Sequence, residues 1–254
     1  MDAIEQLARA LDKAVPPGAW HQAIFSYCER GGDASFWAEP VNAISNGAFY
    51  VAALLALVTW ARGEHGRRVA DLLLIALVFV IGTGSFLFHT LANRWSAIAD
   101  TAPIGLFMLV YFGYALKRFF RFGWVWTLIG IALFAGAIWQ TAGLRCNGGA
   151  CLNGSVAYLP ALAALVGTGL FLLVRGHAAW RYVLGGAAVF AASLTFRTLD
   201  RSLCPSTYLE GYGPLGTHFL WHVLNATLLY LLLRAAVLYG GESFAAGKRL
   251  RRAE

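Results

Sequence analysis

The sequence predicts an all-α membrane protein, a seven-transmembrane helical bundle with its amino terminus outside and its carboxyl terminus in the cytoplasm. Three observations carry this. Hydrophobic residues make up 59% of the 254-residue chain and charged residues only 13%, and the mean hydropathy of +0.60 exceeds what a soluble domain needs to fill its core. Seven stretches are apolar over the roughly 20 residues that a helix needs to cross a bilayer. Basic residues and cysteines then fall on opposite sides of those stretches, as a fixed orientation requires.

Residues 1–40 are expected to be an extracytoplasmic segment. Ile4, Leu7, Leu11 and Val15 recur at helical spacing, Asp2 and Glu5 come early, Arg9 and Lys13 late, and Pro16-Pro17 ends the run. This describes a short amphipathic helix on the outer surface, without the apolar core of a signal peptide. The spans follow at about 41–61, 69–91, 98–116, 124–143, 154–174, 181–198 and 216–239. They make one transmembrane domain, 41–239, and leave a basic cytoplasmic tail, 240–254. No repeat of solenoid period and no low-complexity tract interrupts them.

Short cytoplasmic loops are enriched in Lys and Arg. Arg62, Arg67 and Arg68 lie between spans 1 and 2, Lys117, Arg118 and Arg121 between 3 and 4, and Arg175 and Arg181 between 5 and 6; Lys248, Arg249, Arg251 and Arg252 are in the tail. All fall on one side, facing an anionic leaflet, which accounts for the net charge of +7. Cations divided among short loops do not make a nucleic-acid surface. The localisation expected is a cell inner membrane in a bacterium, or the endoplasmic reticulum or Golgi in a eukaryote.

The cysteines occupy the other side. Cys28, Cys146, Cys151 and Cys204 fall in the amino-terminal segment and in the 4–5 and 6–7 loops, where an oxidising compartment lets them pair. Cys146 and Cys151 are near enough in sequence for a local bridge, which leaves Cys28 for Cys204. They contain no CxxC pair, which weakens zinc binding as the competing reading.

Ionisable groups inside an apolar bundle mark a functional site. Ser85 and His89 are four residues apart near the end of span 2 and share a helix face, as do His218 and His222 at the start of span 7. Three imidazoles from two helices give a zinc ligand set with one tetrahedral position open for water, the pattern of a catalytic site. Span 3 begins outside with Asp100, so all these groups share one depth. His218-Phe-Leu-Trp-His222 lacks the glutamate of the soluble metalloprotease helix, which makes Asp100 the candidate base and Ser85 the candidate donor to water or oxyanion.

Each residue also has a plainer reading. The histidines can be hydrogen-bonded packing residues, Asp100 can cap span 3 or pair with Arg94, and Ser85 can bond back to its own helix. Gly82-Thr83-Gly84 lacks the lysine of a phosphate loop and is better explained by close helix approach. Phe86, Phe88, Phe219 and Trp221 flank the histidines, where ordinary packing is favoured over a chain tunnel. Asp200, between Arg197 and Arg201, is expected to be a structural ion pair.

Taken together, Ser85-x-x-x-His89, Asp100, Pro103 and His218-x-x-x-His222, with Cys28-Glu29, Glu39-x-x-Asn42-x-x-Ser45-Asn46 and Asp200 through Cys204, resemble the alkaline ceramidases. These belong to a wider group with the adiponectin and progestin receptors and the Per1-like hydrolases. The resemblance covers the seven-span core. It implies a zinc-dependent amidase that releases a fatty acid and a sphingoid base from a ceramide-like membrane lipid. By position it makes His89, His218 and His222 the zinc ligands, Asp100 the base and Ser85 its water or oxyanion partner, and it also pairs Cys28 with Cys204.

The family members that bind calcium beside the zinc use Asp-Trp-Cys-Glu, where this chain has Ser26-Tyr27-Cys28-Glu29. Glu29, Asp33 and Glu39 remain as a candidate oxygen cage for calcium. The alternative is that these acids pair with Arg30 and cap span 1, with Asn42, Ser45 and Asn46 as hydrogen bonders at the helix entry. No obligate protein partner is evident. Rival functions are a lipid receptor of the same fold with structural zinc, an ester-cleaving lipid hydrolase, and a transporter, although the repeat or interrupted helices of transporters are missing from the sequence.

Overall fold

The computed structural model describes residues 18–63, 68–146 and 149–241. The expected amphipathic helix before Gly18, Arg67 and the tail cations lie outside the described residues. Among those described, seven helices are long and apolar enough to cross a membrane: Pro40–Arg62, Val69–Leu91, Arg94–Arg118, Trp124–Ala142, Cys151–Val174, Trp180–Leu199 and His218–Tyr239. They are spans 1 to 7.

Consecutive spans pack side by side, and span 7 closes the ring against spans 1 and 6 while touching span 2. Burial is uneven. In span 7, 61% of the apolar window is inside the protein, against 11% in span 4, so span 7 is the axis of the core. Span 4 presents Trp124, Val125, Trp126, Leu133 and Trp139 outward, a surface that suits lipid.

The ends of the spans are set by local chemistry. Span 1 consists of two helical pieces, Pro40–Ser45 and Gly47–Arg62, with Pro40 at the first helical position, where its missing N–H costs nothing. Span 2 stops where Ala92 turns left-handed. Asn93 then caps span 3 through a reciprocal bond pair with Ser96. That cap starts the helix at Arg94, a turn earlier than hydropathy suggested, and it disposes of Asp100 as the cap.

Spans 2 and 3 pack most intimately at Gly84, where a Cβ would collide with the Ala99 carbonyl oxygen. The cause is four residues further on. Pro103 has no N–H to return to Ala99, and the freed carbonyl lies against the one residue type that leaves room for it. The Gly82-Thr83-Gly84 reading as a helix-approach motif is therefore what the structure shows, and the approach brings Ser85 beside Asp100.

Two small hairpins and two disulfides finish the histidine end. Strands β1 (Arg145–Cys146) and β2 (Gly149–Ala150) pair antiparallel, and Cys146–Cys151 clamps them. Strands β3 (Tyr208–Leu209) and β4 (Gly213–Pro214) pair between spans 6 and 7, and Cys28–Cys204 ties that connection to the amino-terminal segment. Both expected bridges are present.

Candidate metal centre

His89 lies in the last turn of span 2, His218 opens span 7, and His222 follows one turn later. All three rings are buried, at 0%, 1% and 1% exposure. One ring nitrogen from each lies within 4.8 Å of the others. Two zinc–nitrogen bonds span about 4 Å end to end, so small ring rotations close the group on a single ion.

Each ring is turned by a neighbour. His89 Nδ1 meets Glu39 Oε2 at 2.6 Å, and its Nε2 has no hydrogen-bond partner. His222 Nδ1 meets Ser45 Oγ at 2.7 Å. The Ser45 hydroxyl already donates to the Asn42 carbonyl, so it accepts from His222 Nδ1–H and leaves the Nε2 lone pair facing the centre. This is the support that metal-binding histidines receive. His218 stacks on Tyr27 with centroids 3.5 Å apart, and its Nδ1 is also without a partner. Buried polar nitrogens left bare are uncommon and call for an explanation; a metal ion supplies one, and the residues present fit it.

Glu39 is the centre of the supporting shell. Arg30 Nε donates to its Oε1 at 2.5 Å and Asn42 Nδ2 to its Oε2 at 3.1 Å. Burial pushes the Glu39 carboxyl upward, but its bonds to His89 and Arg30 outweigh that and hold it below its ordinary range. Arg30 also donates to the His89, Asp33 and Ser35 carbonyls.

Asp200 departs from the expected ion pair. Fully buried, it accepts three backbone N–H groups, those of Cys28, Thr217 and His218. It thereby satisfies donors at the start of span 7. Its would-be partners are occupied elsewhere: Arg201 donates to the Phe25 and Ser26 carbonyls, and Arg197 to Asn153 and Ser155. Gly216 makes room, because a Cβ there would strike Asp200 and Cys28. Through this carboxylate the disulfide-tied segment fixes where His218 sits.

Asp100 is buried, within electrostatic reach of Ser85, His89 and Arg197. Ser85 Oγ also lies 3.5 Å from His222 Nε2. The back-bonding expected of small hydroxyls falls instead to Thr83 and Thr90. Arg94 is exposed and is not the partner of Asp100.

The candidate calcium cage is not assembled. Glu29 accepts the Val41 and Asn42 amides and the Tyr212 hydroxyl, and exposed Asp33 is bonded to Ser35. Committed to His89 and Arg30, Glu39 takes up the pairing role and Glu29 the capping role of the alternative reading, while the Asp33 carboxylate serves only its own turn. Among the described residues, the histidines are the group of metal-binding type whose ligand atoms converge.

An apolar cavity lies within the bundle, lined by residues including Ile81, Phe107, Tyr111, Phe134, Trp221 and Leu229. Of the four aromatic residues that flank the histidines in sequence, only Trp221 lines it; Phe86 packs against Trp37 and Phe88 against Tyr27.

Fold and site together define a class: a multi-pass membrane protein with a buried three-histidine centre that can hold a metal ion, next to an acid–hydroxyl pair. The family model described as Ceramidase matches residues 21–240. The chain belongs to the ceramidase family, which implies a hydrolase acting on an amide bond of a lipid. No curated protein matches the chain.

Proposed function

We propose that this protein is a zinc-dependent integral-membrane amidase that cleaves the N-acyl bond of ceramide-like sphingolipids, releasing a fatty acid and a sphingoid base. The observation that carries this reading is the set of three buried histidines, two of them with bare nitrogens, with Ser85 against His222 and buried Asp100 close by. His89, His218 and His222 would hold a zinc ion, which would supply Lewis-acid polarisation of the amide carbonyl and ease deprotonation of the attacking water.

The protein does the rest. Glu39 and Ser45 hold His89 and His222 in the tautomers that aim Nε2 inward. Asp100 accepts the proton of the attacking water and delivers it to the amide nitrogen, which leaves as an amine. Ser85 donates to the oxygen on which negative charge develops. Because these groups sit among buried side chains, their interactions are not diluted by water. The apolar cavity supports a substrate whose chain stays in hydrocarbon surroundings while its amide reaches the histidines.

The histidine end is the outer one in this reading. Arg62, Arg68, Lys117, Arg118, Arg175 and Arg181 sit at or beyond the opposite ends of the spans, as the positive-inside rule requires, and the disulfides sit at the histidine end.

Purified protein is assayed for fatty-acid release from a panel of ceramides and, in parallel, glycerolipid esters, with and without metal removal. Cleavage of ceramide that stops on chelation and returns with zinc is expected. Bound zinc without cleavage of either class would favour a receptor, and ester cleavage alone would move the substrate class.

A further inference from the structure

Arg197, near the end of span 6, is a cation whose hydrogen bonds go to a carbonyl and a hydroxyl rather than to a carboxylate. It is enclosed by protein on nearly all sides, yet part of its surface stays open. Among the described residues no carboxylate forms an ion pair with it, in contrast to Arg30 and Arg68. Burying an arginine without a counter-charge is costly, and the sequence goes to some length to hold this one in place.

One guanidinium nitrogen donates to the Asn153 carbonyl at 2.8 Å and to Ser155 Oγ at 3.1 Å, and Asn153 Nδ2 returns a bond to the Arg197 carbonyl. To aim that carbonyl, Leu152, Asn153 and Gly154 all take left-handed backbone angles, which for the two non-glycine residues costs about 1 kcal/mol or more each. The guanidinium also lies over the rings of Tyr158 and Trp221, 5.4 and 5.6 Å from their centroids. Both rings line the apolar cavity. Asp100, Tyr27, His218 and His222 all lie within reach of its charge.

The arrangement is a fixed cation where an apolar cavity meets the histidine centre. Resting on the amidase reading, we propose that Arg197 binds the carboxylate of the long-chain fatty acid released, with the alkyl chain lying in the cavity beyond Tyr158 and Trp221. A planar guanidinium matches a carboxylate in shape as well as charge. Bound in this way, the acid is held away from Asp100 and acts as a product inhibitor.

The test uses the full chain in detergent micelles after metal removal, so that no metal contributes to binding. Binding of palmitic acid is compared with that of hexadecanol and palmitamide by calorimetry, for wild type, Arg197→Gln and Arg197→Lys. The acid should bind wild type at least about tenfold more tightly than either neutral ligand, a gap of about 1.4 kcal/mol. Arg197→Gln should abolish that gap without weakening the alcohol, and Arg197→Lys should keep part of it. Equal binding of acid and alcohol by wild type, or equal weakening of both by Arg197→Gln, would overturn the proposal. If Arg197→Gln does not fold, the wild-type gap decides alone, since it must vanish as the acid is protonated. Ceramide turnover does not enter, so a failure here is distinct from a failure of the amidase reading.

Discussion

The two ends of this bundle both bury charged groups in an apolar setting, and they use them in opposite ways. At the end away from the histidines, fully buried Asp71 accepts from Arg68 Nε at 2.8 Å and from the Tyr114 hydroxyl at 2.9 Å. Arg68 goes on to donate to the Ala236 and Val237 carbonyls at 2.8 and 2.7 Å, and Tyr114 donates to Ala236 as well. The acid, the base and the last carbonyls of span 7 satisfy one another, locking spans 2, 3 and 7 together. At the histidine end, Arg30, Glu39 and Asp200 are equally well matched, but His89 Nε2 and His218 Nδ1 are left without partners. A bare buried polar atom costs about 1–3 kcal/mol. One network has closed on itself and can only hold helices; the other stops one ligand short and is organised to receive something.

Substitutions at each end turn this difference into measurements. The largest loss is expected for His218→Ala, which removes a ligand and should take bound metal and fatty-acid release down to background, read by elemental analysis and turnover on one preparation. Asp100→Asn keeps all three imidazoles. It should retain metal while slowing turnover by about 10²–10⁴-fold, the usual contribution of a general base, whereas a receptor with structural zinc would tolerate it. Glu39→Gln weakens the hold on His89. Metal affinity should fall by about 10–100-fold in a chelator competition, as for other outer-shell partners, and excess zinc should restore much of the turnover.

Asp71→Ala is the contrasting case. It removes the carboxylate from a half-buried arginine that keeps its bonds to the Ala236 and Val237 carbonyls and should destabilise the fold by about 1–3 kcal/mol, read as a lower melting temperature. Metal stoichiometry and turnover per folded molecule should change by no more than about twofold, because the two ends share no side-chain partner. Equal damage to metal binding from Asp71→Ala would mean that the two networks are coupled and the comparison is wrong.

Much of this was legible in the chain itself. Every span was readable from hydropathy, since in a bilayer the apolar length is itself the structural requirement. Errors at the ends came from caps such as Asn93 with Ser96, which a hydropathy window does not register. The histidines and the Ser85–Asp100 pair were legible because helical spacing and span direction place them at one depth. Their supports were harder to see. Glu39 reaches His89 across fifty residues of sequence, Ser45 reaches His222 across 177, and Asp200 answers to backbone amides rather than to its neighbouring arginines. Partnerships of that kind are decided by packing. One signal was available: Glu39, Asn42 and Ser45 recur every third residue at the entry to span 1, and polar residues at that spacing share a helix face. Asn153-Gly154 marks a left-handed turn, but its grip on Arg197 spans 44 residues of sequence and is decided by packing.

The central claim is that His89, His218 and His222 together hold one ion and leave a coordination position to solvent. X-ray absorption at the zinc edge, on purified chain of known metal content, tests it directly. The account predicts one zinc per chain with three imidazole nitrogens and one oxygen donor in its shell. A chain that stays active without stoichiometric metal, or an ion enclosed by four protein ligands, would contradict it.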